Sequence, residues 1–130
     1  YAAEFDSFSR LFDGSIADAA EESIRSGGYA VDTLEAALWC LLRSDSFERC
    51  VLAAVNLGGD ADTTAAVAGA AAGVRFGLGA VPDEWFTSLS NADAVMECAR
   101  NSAQKWDVPP AEIIGLRSYA VKSDFFAPFF

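Results

Sequence analysis

The chain has 130 residues, enough for one domain with a real core, and the length argues against two packed domains. Apolar residues make up 52% and charged residues 22%, which excludes an intrinsically disordered chain, and the net charge of −10 repels phosphate backbones and argues against a nucleic-acid partner. There is no histidine, so Ser-His-Asp and Cys-His nucleophiles, His-ligated zinc and imidazole acid–base steps are all excluded.

Taken in chain order, residues 3–12 place Phe5, Phe8, Leu11 and Phe12 on one helical face, and Asp13-Gly14 stops that helix. Ser15 is positioned to cap a second helix running through Ile16, Ala19, Ala20 and Ile24. Its Asp18, Glu21 and Glu22 read as a solvated face. Gly27-Gly28 breaks the chain. Asp32 then precedes an almost wholly apolar helix to Leu42, with Glu35 three residues on in the manner of a capping box. A helix apolar on most faces belongs in the middle of a bundle.

Ser44 or Ser46 starts the next helix, residues 47–57, with Val51, Leu52 and Val55 as the expected buried stripe. Gly58-Gly59 ends it, and 60–63 open a helix continuing to about Gly77. Eight Ala and four Gly lie between Ala61 and Ala80, and Gly69, Gly73 and Gly77 form a ladder on one face. In a bilayer such a ladder would be a dimerisation seam, but the low transfer energy of Ala and Gly and the presence of Arg75 favour a tightly packed core helix. Val81-Pro82 starts a short helix with Trp85 and Leu89. Residues 92–104 read as another helix, with Val95, Met96 and Cys98. Pro109-Pro110 breaks it, 111–119 is expected to form a last short helix, and 125–130 is an apolar tail without period. Strict alternation is absent, so the fold class is all-α, a compact helical bundle.

Cys40, Cys50 and Cys98 are odd in number and form no C-x-x-C, which favours buried free thiols in a reducing, cytoplasmic setting over a disulfide framework. The first thirty residues hold no basic stretch followed by an apolar one, so no signal peptide is visible. The first residue is Tyr1, which suggests a fragment or a cleaved product.

The most informative segment is residues 56–64, Asn-Leu-Gly-Gly-Asp-Ala-Asp-Thr-Thr. Asp60 and Asp62 do not share a regular helix face, yet in a cap and first turn both can turn toward one point beyond the helix end. Two carboxylates and a hydroxyl suit Mg²⁺, Mn²⁺ or Ca²⁺. Gly58 and Gly59 let the backbone approach a ligand closely, and first-turn N–H groups attract phosphate. The plainer reading is N-capping by Asp60 or Asp62. An EF-hand is excluded: counted from Asp60, the glycine position holds Ala65 and the bidentate glutamate position holds Ala71. Gly27, Gly28 and Tyr29 before the next helix could hold a ribose or nucleotide, or could be a helix C-cap with a packed tyrosine. No P-loop or dinucleotide glycine fingerprint is present.

Together these residues resemble the ADP-ribosylglycohydrolase family, at the C-terminal half of its fold. The resemblance runs from about Ser26 to Leu89. It rests on Gly28-Tyr29-Ala30-Val31-Asp32-Thr33-Leu34 with Ala36-Ala37-Leu38-Trp39, on 58–63, on the Ala-rich helix closing at Phe76-Gly77, and on Val81-Pro82 with Trp85. It divides the chain into a family-like segment, 1–90, and an unassigned helical extension with apolar tail, 91–130. It implies an all-α fold with two Mg²⁺ ions in a cleft (Mn²⁺ being a substitute), hydrolysing a glycosidic bond to ADP-ribose on a modified protein or small molecule. Asp60, Asp62 and Thr63 match the family's metal ligands, and Gly27, Gly28, Tyr29, Gly58 and Gly59 fall where the family approaches ADP-ribose. The acidic N-terminal segment that supplies the family's other ligands is absent here, so no catalytic residue is assigned and a separate N-terminal half is an expected partner. The alternative is a non-catalytic, crystallin-like or ADP-ribose-binding relative, or an inactive fragment. Neither a nucleic acid nor a membrane is an expected partner.

Overall fold

The computed structural model describes residues 8–105, and every regular element among them is helical. The chain divides into two compact units, residues 1–75 and 76–130. In the first, helix α1 (Ser9–Phe12) is followed by two 3-10 turns (Ser15–Asp18 and Glu21–Ser23), then α2 (Ala30–Leu42), α3 (Phe47–Asn56) and α4, which begins at Ala61 and ends at Phe76. In the second, a 3-10 turn (Leu78–Ala80) leads to α5 (Asp83–Ser88) and α6 (Ala92–Lys105). The expected helix 111–119 and the apolar tail 125–130 lie outside the described residues. Among the described residues, no helix is long and apolar enough to cross a membrane.

The expected helix through Ile16 and Ile24 is replaced by the two 3-10 turns joined through extended Ala19 and Ala20. The physical reason lies on α2. The Trp39 indole N–H donates to the Ala19 carbonyl at 2.9 Å, and the Arg43 guanidinium, stacked 5.1 Å from the Trp39 ring, donates to the Ala17 carbonyl. Carbonyls that an intact helix would use internally are thereby committed to α2, and Ile16 and Ile24 are both buried. Asp18, Glu21 and Glu22 are exposed, as expected of a solvated face.

The capping box expected at Asp32 and Glu35 is also replaced. Tyr29 occupies the N-cap of α2, and both carboxylates lie inside the helix, buried. Each is neutralised by an arginine from the preceding segment: Asp32 by Arg25 at 2.9 Å, and Glu35 by the two-pronged Arg10 guanidinium. Burial of these charges requires those partners.

Helix α3 starts at Ser46, whose hydroxyl accepts the Arg49 backbone N–H at 3.2 Å. Its buried positions are Cys50 and Ala54; Leu52 and Val55 stand 43% and 45% exposed, which corrects the expected stripe. On α4 the buried row is Thr64, Ala68 and Ala72, spaced four apart, and not the glycine ladder. A Cβ on Gly69 would make only ordinary contact with Val51, and one on Gly73 would meet open space. Cys50, Ala54, Ala68 and Ala72 are fully buried, with the Cys50 thiol 3.9 Å from the Ala68 carbonyl. The Arg75 guanidinium closes the end of this layer by donating to the Leu41 carbonyl at 2.7 Å.

All three thiols are free, as expected, but only Cys40 and Cys50 are buried, while Cys98 on α6 is exposed. Burial pushes the Cys40 thiol up to about 12, with the nearby Cys50 as the next cause, and burial also raises Cys50. Native thiol titration at pH 8 is therefore expected to label Cys98 within minutes and the other two only on unfolding. Fast labelling of Cys40 would contradict the packing described.

Candidate functional site

The turn after α3 and the turn before α2 meet. Gly58 and Gly59 both have left-handed backbones, at φ of 74° and 62°, as does Gly28 at 82°. The Asp60 backbone N–H donates to the Ser26 carbonyl at 2.7 Å, and the Ser26 hydroxyl donates to the Gly58 carbonyl at 3.1 Å. The two double-glycine segments, thirty-one residues apart in sequence, thus form one two-turn cradle.

Glycine is required at two of its positions for close approach. A Cβ on Gly28 would fall onto the Asp60 carboxylate, and one on Gly59 onto the Ser26 carbonyl. Gly27 faces open space and has no left-handed backbone. Gly58 likewise has nothing near its Cβ position, so only its φ demands glycine. Tyr29 is 61% exposed at the start of α2, with its carbonyl accepting the Thr33 N–H at 2.9 Å. Gly28 and Gly59 are thereby in direct contact with the partner turn, whereas Gly27 and Tyr29 stand beside it.

Asp60 occupies the cap of α4: its carbonyl accepts the Thr64 N–H, the first bond of the helix. Its carboxyl lies below the usual carboxylate range, first through a hydrogen bond from the Thr63 side chain, then through Asp62, with the Thr63 backbone N–H adding and burial opposing. These hydrogen bonds favour the ionised form. Their stabilising effect is present above about pH 4 and is lost as the pH falls through the lowered pKa. Asp62 accepts the Thr63 N–H at 2.9 Å through one carboxylate oxygen. Asp60, Asp62 and Thr63 thus lie together at the helix start, with Asp60 and Asp62 helping to satisfy its N–H groups.

This set fits a hard divalent cation. Its donors are all oxygen, and the Asp60 carboxylate sits in a cradle that a Cβ on Gly28 would fill. Among the described residues, no group of three or more Asp, Glu or Cys side chains comes together to hold a metal. Two carboxylates and a hydroxyl would fill only part of the shell of Mg²⁺, which takes six ligands. Sequence reasoning missed Ser26. A serine before a glycine pair carries no periodic or motif signal, and only the meeting of the two turns singles it out.

Against known proteins, the chain matches the ADP-ribosylglycohydrolase family model over residues 2–112, which extends past 26–89 on both sides. It is 40% identical over 87 residues to the ADP-ribosylarginine hydrolase Tri1 of Pseudomonas putida (strain GB-1), covering 67% of this chain and 24% of that protein. It is 42% identical over 65 residues to the ADP-ribosyl-[dinitrogen reductase] glycohydrolase of Rhodospirillum rubrum, covering 50% and 22%. To the human ADP-ribosylhydrolase ARH3 it is 34% identical over 71 residues, covering 46% and 20%. The matched segment spans about a quarter of the length of such relatives. No solved structure matches the chain. On a family match that takes in most of its residues, the two-turn cradle included, the chain belongs to the ADP-ribosylglycohydrolase family.

Proposed function

We propose that this chain supplies the carboxylate-rich, cation-holding part of a hydrolase that cleaves the glycosidic bond between ADP-ribose and a modified protein or small molecule. The observation that supports the reading is the placing of Asp60, Asp62 and Thr63 together at the start of α4, with Asp62 accepting the Thr63 N–H and the Asp60 carboxylate packed against Gly28. Asp60, Asp62 and Thr63 would hold Mg²⁺, or Mn²⁺ in its place, and a complete site would hold two ions. A bound divalent cation supplies positive charge that orients sugar hydroxyls and makes water a better nucleophile. The chain's own carboxylates would favour the positive charge that develops on the ribosyl carbon as the bond breaks. The cation also offsets the repulsion between a chain of net charge −10 and an anionic diphosphate. The left-handed glycine turns, with Tyr29 beside them, would approach the ADP-ribose.

The remaining ligands and the leaving-group contacts are assigned to a further segment, in the same polypeptide or supplied by a partner. The relatives, named for hydrolysis of ADP-ribosylarginine and of ADP-ribosyl-[dinitrogen reductase], support an ADP-ribosylated protein as substrate. The free thiols fit a reducing, cytoplasmic compartment.

The test is release of ADP-ribose from an arginine-modified protein by the gene product that carries this sequence. Turnover is expected to need Mg²⁺ or Mn²⁺ and to fall at least about 100-fold in Asp60→Asn and Asp62→Asn. Undiminished turnover in Asp60→Asn would remove that residue from the mechanism. The alternative is a non-catalytic, ADP-ribose-binding relative. Stabilisation by ADP-ribose without any turnover would establish it.

A further inference from the structure

We propose that Ser26 is a positioning residue for the Asp60 carboxylate: a clasp through which the turn before α2 sets the geometry of the cation-holding turn. The proposal rests on the cation-holding reading given above.

Ser26 touches the facing turn in three ways. Its carbonyl receives the Asp60 N–H at 2.7 Å, its hydroxyl donates to the Gly58 carbonyl at 3.1 Å, and its backbone fills the space where Gly59 lacks a side chain. The residues it engages are consecutive, Gly58 to Asp60, and two of them have left-handed backbones. Left-handed glycines resist little when their φ and ψ change, so a turn built on two of them needs an external contact to hold one conformation. Ser26 is that contact, and the residue it reaches last is Asp60.

The clasp is itself anchored. Arg25, one residue earlier, forms an ion pair at 2.9 Å with buried Asp32 in the first turn of α2. Gly28, two residues later, lies against the Asp60 carboxylate. The Asp60 carboxylate is thus placed by its own backbone, held by the Ser26 carbonyl, and by the Gly28 surface it rests on. Both come from one turn, which the Arg25–Asp32 ion pair ties to α2. The hydroxyl of Ser26 is the removable part of the device, because its carbonyl is common to every residue.

Two readouts on this chain test it. Removing the hydroxyl in Ser26→Ala is expected to raise amide hydrogen exchange at Asp60 and to weaken Mn²⁺ uptake, followed by electron paramagnetic resonance, about 3- to 10-fold. Ser26→Thr keeps a hydroxyl and is expected to restore both. Far-ultraviolet circular dichroism is expected to be unchanged in each. Faster exchange at Asp60 with unaltered Mn²⁺ uptake would show a merely structural hydrogen bond and overturn the proposal. So would Ser26→Ala matching the parent in both. If the parent chain and Asp60→Asn take up Mn²⁺ equally, the cation-holding reading itself fails, and the clasp falls with it.

Discussion

Gly28→Ala should eliminate cation uptake while leaving most of the fold's stability in place. The added Cβ would land on the Asp60 carboxylate, which is the end of a short side chain and can swing away. The fold therefore loses only the preference of the left-handed backbone at φ 82° for glycine, about 1–2 kcal/mol. The carboxylate, however, leaves the position in which it meets Asp62 and Thr63. Gly59→Ala inverts the balance. Its Cβ meets the Ser26 carbonyl, which is backbone and cannot rotate out of the way, and its φ of 62° is also left-handed. We expect about 2–4 kcal/mol of lost stability there, the sum of backbone strain and overpacking. Gly27→Ala, with open space and no left-handed backbone, is the neutral control. Thermal unfolding paired with Mn²⁺ titration separates the three. Tight Mn²⁺ uptake in Gly28→Ala would contradict the placement of Asp60 in the cradle.

Arg10→Ala should be the most damaging substitution outside the site. Glu35 has a side chain only 7% exposed, and Arg10 satisfies both of its oxygens with a forked pair of hydrogen bonds. The same guanidinium reaches Ser23, so it also ties the second 3-10 turn to α2. Its removal leaves a buried carboxylate without its partner, which costs about 2–4 kcal/mol. The double variant Arg10→Met with Glu35→Leu removes both charges together. It is expected to recover most of that loss, because apolar residues of similar volume often replace a buried ion pair without penalty. Chemical denaturation of the single and double variants measures the difference. A double variant no more stable than Arg10→Ala would show that packing, and not the orphaned charge, is responsible.

These two results concern interactions that differ in how far the sequence announces them. The all-α class, the helix boundaries near Ser46 and Ala61, and the breaks at Gly14, Gly28 and Gly58 follow from local rules, because capping, periodicity and glycine backbone freedom act within a few residues. Asp60, Asp62 and Thr63 are legible for the same reason: a spacing of two in a first turn already confines them to one helix end.

What local rules could not reach is pairing across the chain. Asp32 and Glu35 have capping-box spacing, yet Arg25 and Arg10 draw them into the helix as neutralised pairs. Ala19 and Ala20 are good helix formers, yet the Trp39 indole takes the Ala19 carbonyl and the helix is divided into 3-10 turns. The buried face of α3 falls on Cys50 and Ala54, and not on its larger apolar residues, with the Cys50 thiol lying against the Ala68 carbonyl of α4. The sequence alone determined which residues can supply oxygen to a cation and which turns can bend sharply. Only the tertiary structure decided that Gly28 and Ser26 lie against Gly59 and Asp60, since a contact between turns so far apart in sequence depends on how the intervening helices pack.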